Sequence, residues 1–190
     1  MRRRSPLLAA ATTALLLLGG CAAGTSQSGT SEADTSAPAA DDVEASAPPA
    51  TDGGTPDVYA FTATTLAGEE FDGESLAGSP AVLWFWAPWC PTCIMQIPTV
   101  TGLAEEHGDE VAVVAVGGLD TAAEISAMAE RNIPHVTHLV DDEGVVWKHF
   151  GVTAQSTFAV LDADGQVVRE GKISDEDLMA LVADLASAAG

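Results

Sequence analysis

Apolar residues are distributed along this chain in two distinct ways, with a break near residue 58. Beyond it, short apolar blocks alternate with helix-length stretches of mixed character. PAVLWFW (80–86) is a continuous apolar run of strand length and predicts a buried central strand; VAVVAVGG (111–118) predicts a second. Between them, Pro91 to about His107 has helical length, opens on proline in its first turn and contains Pro98, which is expected to kink it. Asp120 is the expected cap of a helix reaching about Arg131, with Ile125, Met128 and Ala129 on one face. VYAFTATT (58–65) and EEFDG (69–73) flank a turn at Leu66 to Gly68 and read as a hairpin. THLVDD (137–142) predicts a weak strand, and EGVVWKHFG (143–151) a short helix ending at Gly151. STFAVLD (156–162) and QVVREG (166–171) form a second hairpin around Ala163 to Gly165, after which Ser174 caps a last helix to about Ala188. Strand, helix, strand, helix, then a hairpin and a helix, predict an α/β domain with a central mixed sheet and helices on both faces.

The first 57 residues follow another logic. MRRRSP is a charged start, LLAAATTALLLL (7–18) a short apolar run, and Gly19-Gly20 small residues ahead of Cys21. That is the pattern of a signal peptide, and the apolar run is shorter than the roughly 20 residues that span a bilayer. Leu18-Gly19-Gly20-Cys21 resembles the bacterial lipobox, so residues 1–20 are expected to be removed and Cys21 to become a lipid-bearing N-terminus. Residues 22–57 hold seven acids, no base, no aromatic and Val43 as their one branched aliphatic. They have too little to bury to offset the entropy of ordering, and residues 21–57 are expected to form a lipidated, disordered tether. A flexible chain of this length spans about 35 Å.

Charge then narrows the function. The chain has 190 residues with 7 Lys+Arg against 28 Asp+Glu, a net charge of −21. Three of those bases lie in residues 1–20 and seven of the acids in 21–57, so a domain over 58–190 carries 4 bases against 21 acids, or −17. A polyanion is repelled by nucleic-acid phosphates and anionic headgroups, which argues against nucleic-acid binding. Three cysteines are too few for a disulfide scaffold.

Trp89-Cys90-Pro91-Thr92-Cys93 lies where the buried strand turns into the helix. Free N–H groups and the positive end of the helix dipole favour a thiolate at the first cysteine and lower its pKa, so Cys90 is expected to be the exposed nucleophile. Cys93, one turn on, faces the same side, can close a disulfide with Cys90 and is expected to be the buried resolving thiol. A zinc site needs four ligands; no second C-x-x-C is present, and His135 and His138 lie some 40 residues away in another segment. A purely structural disulfide over so short a loop gains little. Redox exchange is the favoured reading, with no metal or other cofactor.

The stretch FTATTLAGEEFDGESLAGSPAVLWFWAPWCPTC (61–93) resembles the thioredoxin superfamily, and within it the exported TlpA/DsbE-like branch with an extra N-terminal hairpin. VLWFWAPWCPTC is especially similar to secreted DsbE- and DsbF-like proteins of actinobacteria. The resemblance covers about residues 58–190. It implies a thioredoxin fold and thiol–disulfide exchange, with a Cys90–Cys93 disulfide, Cys90 as nucleophile, Cys93 as resolving cysteine, and Trp89, Pro91 and Thr92 flanking them. Three positions depart from the family pattern. Ser156 stands where the family has a cis-proline, so the peptide before it is either held cis or has gone trans, and the missing ring leaves room near the cysteines. Trp84 replaces a buried Asp common in thioredoxins, and Gln96 replaces a Glu frequent in reductive members. Because such carboxylates help move the proton of the buried thiol, their absence tilts the expectation toward an oxidant of exported proteins. The alternatives are a reductase serving cytochrome c maturation, or a copper carrier using Cys90, Cys93 and Met95. Expected partners are exported proteins bearing thiols or disulfides, a membrane redox partner and, through the lipid anchor, the extracytoplasmic face of the cell membrane.

Overall fold

The computed structural model describes residues 56–190. The signal segment, Cys21 and the tether as far as residue 55 lie outside the described residues.

Seven strands form one sheet: β1 (Thr62–Thr65), β2 (Glu70–Asp72), β3 (Ala81–Trp86), β4 (Ala112–Gly117), β5 (Thr137–Val140), β6 (Thr157–Leu161) and β7 (Val167–Gly171), in the spatial order β2-β1-β5-β4-β3-β6-β7. The sheet is mixed. β3, β4 and β5 run parallel, joined by α1 (Pro91–His107) and α2 (Ala122–Asn132), whereas β6 pairs antiparallel with β3 and β1 antiparallel with β5. Two further helices, α3 (Val145–His149) and α4 (Asp175–Ala189), complete the chain.

β3 explains why its sequence is apolar at every position. All six residues are buried, because the strand has neighbours on both edges and cover on both faces. Val82, Trp84 and Trp86 point into a core shared with Val100 and Leu103 of α1, Ile125 and Ala129 of α2, and Leu178 and Val182 of α4. Ala81, Leu83 and Phe85 point the other way, onto Val146 and Trp147 of α3 and onto Tyr59, Phe61 and Leu76. This is the period-2 alternation of a strand with a hydrophobic layer on each side. Truncating a side chain here, as in Phe85→Ala, costs about 3–5 kcal/mol in lost transfer energy and unfilled volume.

Local details refine the sequence reading. The stretch 58–65 is not strand throughout: Asp57–Tyr59 is a single 3₁₀ turn that drives Tyr59 into the core, and β1 starts only at Thr62. The cap of α2 is Thr121, whose hydroxyl accepts from Glu124 N at 3.3 Å; Asp120 sits one residue earlier, accepting from Thr121 N. α1 continues through Pro98 to His107. The five-residue α3 is anchored by buried Asp141, whose carboxylate accepts from Val145 N (2.6 Å) and Trp147 N (2.9 Å). Glycine is required at Gly118, where a Cβ would lie 2.6 Å from the Trp147 indole nitrogen. Among the described residues no helix is long and apolar enough to cross a membrane.

Candidate active site

β3 delivers the chain to Cys90 four residues after its last member, Trp86. Cys90 is the N-cap of α1. It holds extended backbone (φ −86°, ψ 111°), its Sγ accepts from Cys93 N at 3.1 Å, its carbonyl accepts from Ile94 N at 3.1 Å, and Pro91 occupies the first turn, where no N–H is needed. Cys90 and Cys93 are disulfide-bonded, with Cα atoms 5.2 Å apart, inside the range such bonds require. The sulfur of Cys90 therefore already occupies the position where helix N–H groups and the helix dipole favour a thiolate.

Burial departs from expectation at one of the two cysteines. Cys93 is buried as expected, at 1% exposure, but Cys90 is only 3% exposed. The reason is its capping role, which turns the sulfur onto the helix terminus and beneath its neighbours. Exposure passes instead to the flanking residues: Pro91 and Thr92 are exposed, Trp89 is 53% exposed and Met95 69%, with Ile94 beside it also open. Trp89 Nε1 donates to the carbonyl of Leu119 at 3.2 Å. Leu119 is itself exposed and left-handed (φ 58°), so the loop after β4 is drawn alongside the disulfide. Exposed apolar side chains thus flank the recessed redox pair along the chain at Trp89, Ile94 and Met95, with Leu119 joined to them through Trp89.

The three positions that depart from the family pattern meet in one place. Gln96, one turn beyond Cys93 on the buried side of α1, accepts through Oε1 from Trp84 Nε1 at 3.0 Å and from Ser156 Oγ at 3.2 Å. All three side chains are buried, and none of them ionises. With serine at position 156, the backbone is not one a proline could hold. Its φ is +64°, and its N–H donates to the carbonyl of Phe85 at 2.9 Å. A proline ring locks φ near −65° and has no N–H, so this backbone is closed to proline. Nor is there room left where the ring is missing, because Ser156 is 5% exposed and its hydroxyl is engaged. A left-handed residue other than glycine costs about 1–2 kcal/mol, which the two hydrogen bonds offset.

Trp86 belongs to the core, and among the described residues its indole N–H has no partner. His135 and His138 each lie against another protein group. His135 is paired with Glu105 at 3.5 Å, and buried His138 donates from Nε2 to the Ile133 carbonyl at 2.9 Å. Among the described residues no group of three or more His, Cys, Asp or Glu gathers as a metal would require. Gln96 was visible in the sequence only as a missing carboxylate; its three-residue spacing from Cys93 was the signal that it lies behind the sulfurs.

The family model for Redoxin matches residues 35–185. The chain belongs to the Redoxin family. Among relatives of this redoxin, the soluble secreted antigen MPT53 of Mycobacterium tuberculosis is 42% identical over 109 residues, 55% of this chain and 60% of the antigen. The chain thus spans about 60% of the length of that curated relative. The solved structure of MTB dsbF in its mixed oxidized and reduced forms superposes with a TM-score of 0.65 at 42% identity, covering 70% of this chain and 99% of that one. A second structure, a secreted Mycobacterium tuberculosis disulfide oxidoreductase homologous to E. coli DsbE, gives a TM-score of 0.60 at 34% identity, over 68% and 98% of the two chains. The thioredoxin-like fold of this redoxin is shown by its mixed sheet and by these neighbours.

Proposed function

We propose that this redoxin is a thiol–disulfide oxidoreductase that passes its Cys90–Cys93 disulfide to exported client proteins, held at the outer face of the cell membrane by a lipid on Cys21. The observation that carries this reading is the disulfide at the N-terminus of α1, with Cys90 as the cap and exposed apolar side chains flanking it along the chain. A client thiolate attacks Cys90 Sγ; the Cys90–Cys93 bond breaks and Cys93 leaves with the electron pair and takes up a proton. The client's second thiolate then attacks its own sulfur in the mixed disulfide, releasing Cys90 as a thiolate that the helix terminus stabilises. Two electrons pass from client to protein, and a membrane redox partner removes them to restore the disulfide. The exposed apolar side chains suit unfolded segments, and the charge of −17 on residues 58–190 opposes adsorption to anionic lipid.

Oxidation is favoured over reduction because the group hydrogen-bonded behind Cys93 is an amide and two neutral donors, with no carboxylate to take the Cys93 proton; a reductase must remove that proton while the client is bound, whereas an oxidant sheds it only when its membrane partner restores the disulfide. The test is the equilibrium potential against a glutathione series, alongside oxidation of a reduced unfolded protein and reduction of insulin. A potential near about −150 mV with client oxidation is expected; a value near thioredoxin's roughly −270 mV with insulin reduction would reverse the direction.

A further inference from the structure

Gln96 does something that neither the disulfide nor the exposed apolar side chains account for. One oxygen atom receives hydrogen bonds from two different elements: the Trp84 indole of β3 and the Ser156 hydroxyl at the entry to β6. Because an indole N–H only donates, the amide oxygen must be the atom facing it, and the side chain has a single orientation. Gln96 is also part of the helix turn that follows Cys93. The helix carrying the redox pair, the central strand and the segment before β6 therefore meet at this one acceptor.

That segment lies beside the sulfurs by topology. β6 runs antiparallel to β3, so its first residues lie against the last residues of β3, from which the chain proceeds directly to Cys90. Ser156 N bonds to Phe85 O at this end, while Thr153 and Ala154, immediately upstream, are exposed. With both cysteines recessed, an extended polypeptide reaches Cys90 only if the surfaces around it place its thiolate, and residues 153–156 form one such wall. The left-handed Ser156 is what bends this wall into place, and its side-chain tether is Gln96.

We propose that Gln96 is a positioning residue for exchange with polypeptide clients: by accepting from Ser156 and Trp84 together it locks the 153–156 wall against the turn that carries Cys93, and so places an extended client over Cys90. The inference rests on the exchange activity proposed above.

A small dithiol needs no wall, so the informative quantity is the ratio of rate constants for oxidation of a reduced unfolded protein and of dithiothreitol by the same full chain. Gln96→Met removes the acceptor while keeping an unbranched side chain of similar size, and the ratio should fall about tenfold, mostly through a rise in KM for the protein client. Ser156→Ala, which removes one oxygen, should lower the ratio in the same sense. The double variant should be no worse than Gln96→Met, because both changes break one contact. A ratio equal to wild type in both variants, a fall in kcat with KM unmoved, or a double variant that multiplies the two losses would each overturn the proposal. If Gln96→Met does not fold, as judged by near-ultraviolet circular dichroism, Ser156→Ala carries the test alone. A wild-type chain that exchanges with neither reagent would sink the functional reading and this inference with it, whereas normal wild-type exchange with unaltered variants sinks this inference alone.

Discussion

Trp84 and Trp86 stand two residues apart on the same face of β3, with rings stacked 5.7 Å apart and 18° from parallel. Both are essentially fully buried, yet their indole N–H groups meet different surroundings. Trp84 donates to Gln96 and through it is joined to Ser156. Among the described residues Trp86 has no acceptor, and the ring edge-on to it, His138, has an unpartnered Nδ1 as well. One buried polar spot is satisfied and ties three elements together behind the disulfide. The other, in the same apolar core, leaves a donor and a lone pair unmatched. Core tryptophans that look equivalent in sequence thus differ in what they contribute: Trp84 adds a hydrogen bond to Gln96 to its ring packing, while Trp86 contributes ring packing.

The largest effect expected is at the disulfide itself, and it provides the zero against which both sides are read. Cys93→Ala should abolish client oxidation, since no disulfide remains to transfer, and should leave the Cys90 thiolate able to attack a client's existing disulfide, releasing one client thiolate and forming a mixed disulfide that cannot be resolved from within the protein. Non-reducing electrophoresis of clients captured by this variant is the measurement; turnover persisting in Cys93→Ala would place the chemistry elsewhere.

The next contrast separates the two indoles. Trp84→Phe and Trp86→Phe remove the same atoms from the same face of one strand, so their packing losses are similar, and the difference between them isolates the hydrogen bond. Trp84→Phe leaves Gln96 with one donor fewer and should be less stable than Trp86→Phe by about 1–2 kcal/mol in chemical denaturation. Equal losses, or a larger one for Trp86→Phe, would show that the Trp84–Gln96 bond contributes nothing net.

This contrast also marks how far the sequence could be read. The apolar run 80–86 announced a fully buried strand because hydrophobic periodicity is a local property, and the C-x-x-C at its end announced the redox pair because helix-terminus electrostatics are local too. The three unusual residues were each noticeable alone, Trp84 and Gln96 as absent carboxylates and Ser156 as an absent proline. Their meeting was not legible, because residues 84, 96 and 156 converge only once α1 crosses over β3 and β6 returns beside it. The left-handed φ of Ser156 was hidden for the same reason, since it is imposed by Phe85 O and Gln96, two partners distant in sequence. The recessed position of Cys90 was not legible because it follows from the sulfur capping its own helix, a matter of backbone geometry at the turn that residue types do not carry.

The smallest effect belongs to the unsatisfied side and is read through pH. Burial holds the His138 imidazole below the ordinary histidine pKa, only partly opposed by its bond to the Ile133 carbonyl, so the folded protein keeps this ring neutral. In the unfolded chain the same ring titrates near about 6.5. Above that pH both states are neutral and His138 adds no pH dependence. As pH falls below it, the unfolded state binds the proton first, so stability is lost progressively until the lowered folded value is passed, where the slope ends. His138→Gln, which cannot take up that proton, should remove this part of the slope. The difference between the wild-type and variant melting temperatures should therefore change between about pH 7.5 and 5 and be flat above. The carboxylates common to both proteins cancel in that difference, as do the other histidines. The same decline should survive Gln96→Met and Ser156→Ala, because the satisfied and unsatisfied spots share ring contact through Trp84 and Trp86 but no hydrogen bond. A pH slope that vanished in Gln96→Met would mean that the two spots are one network after all.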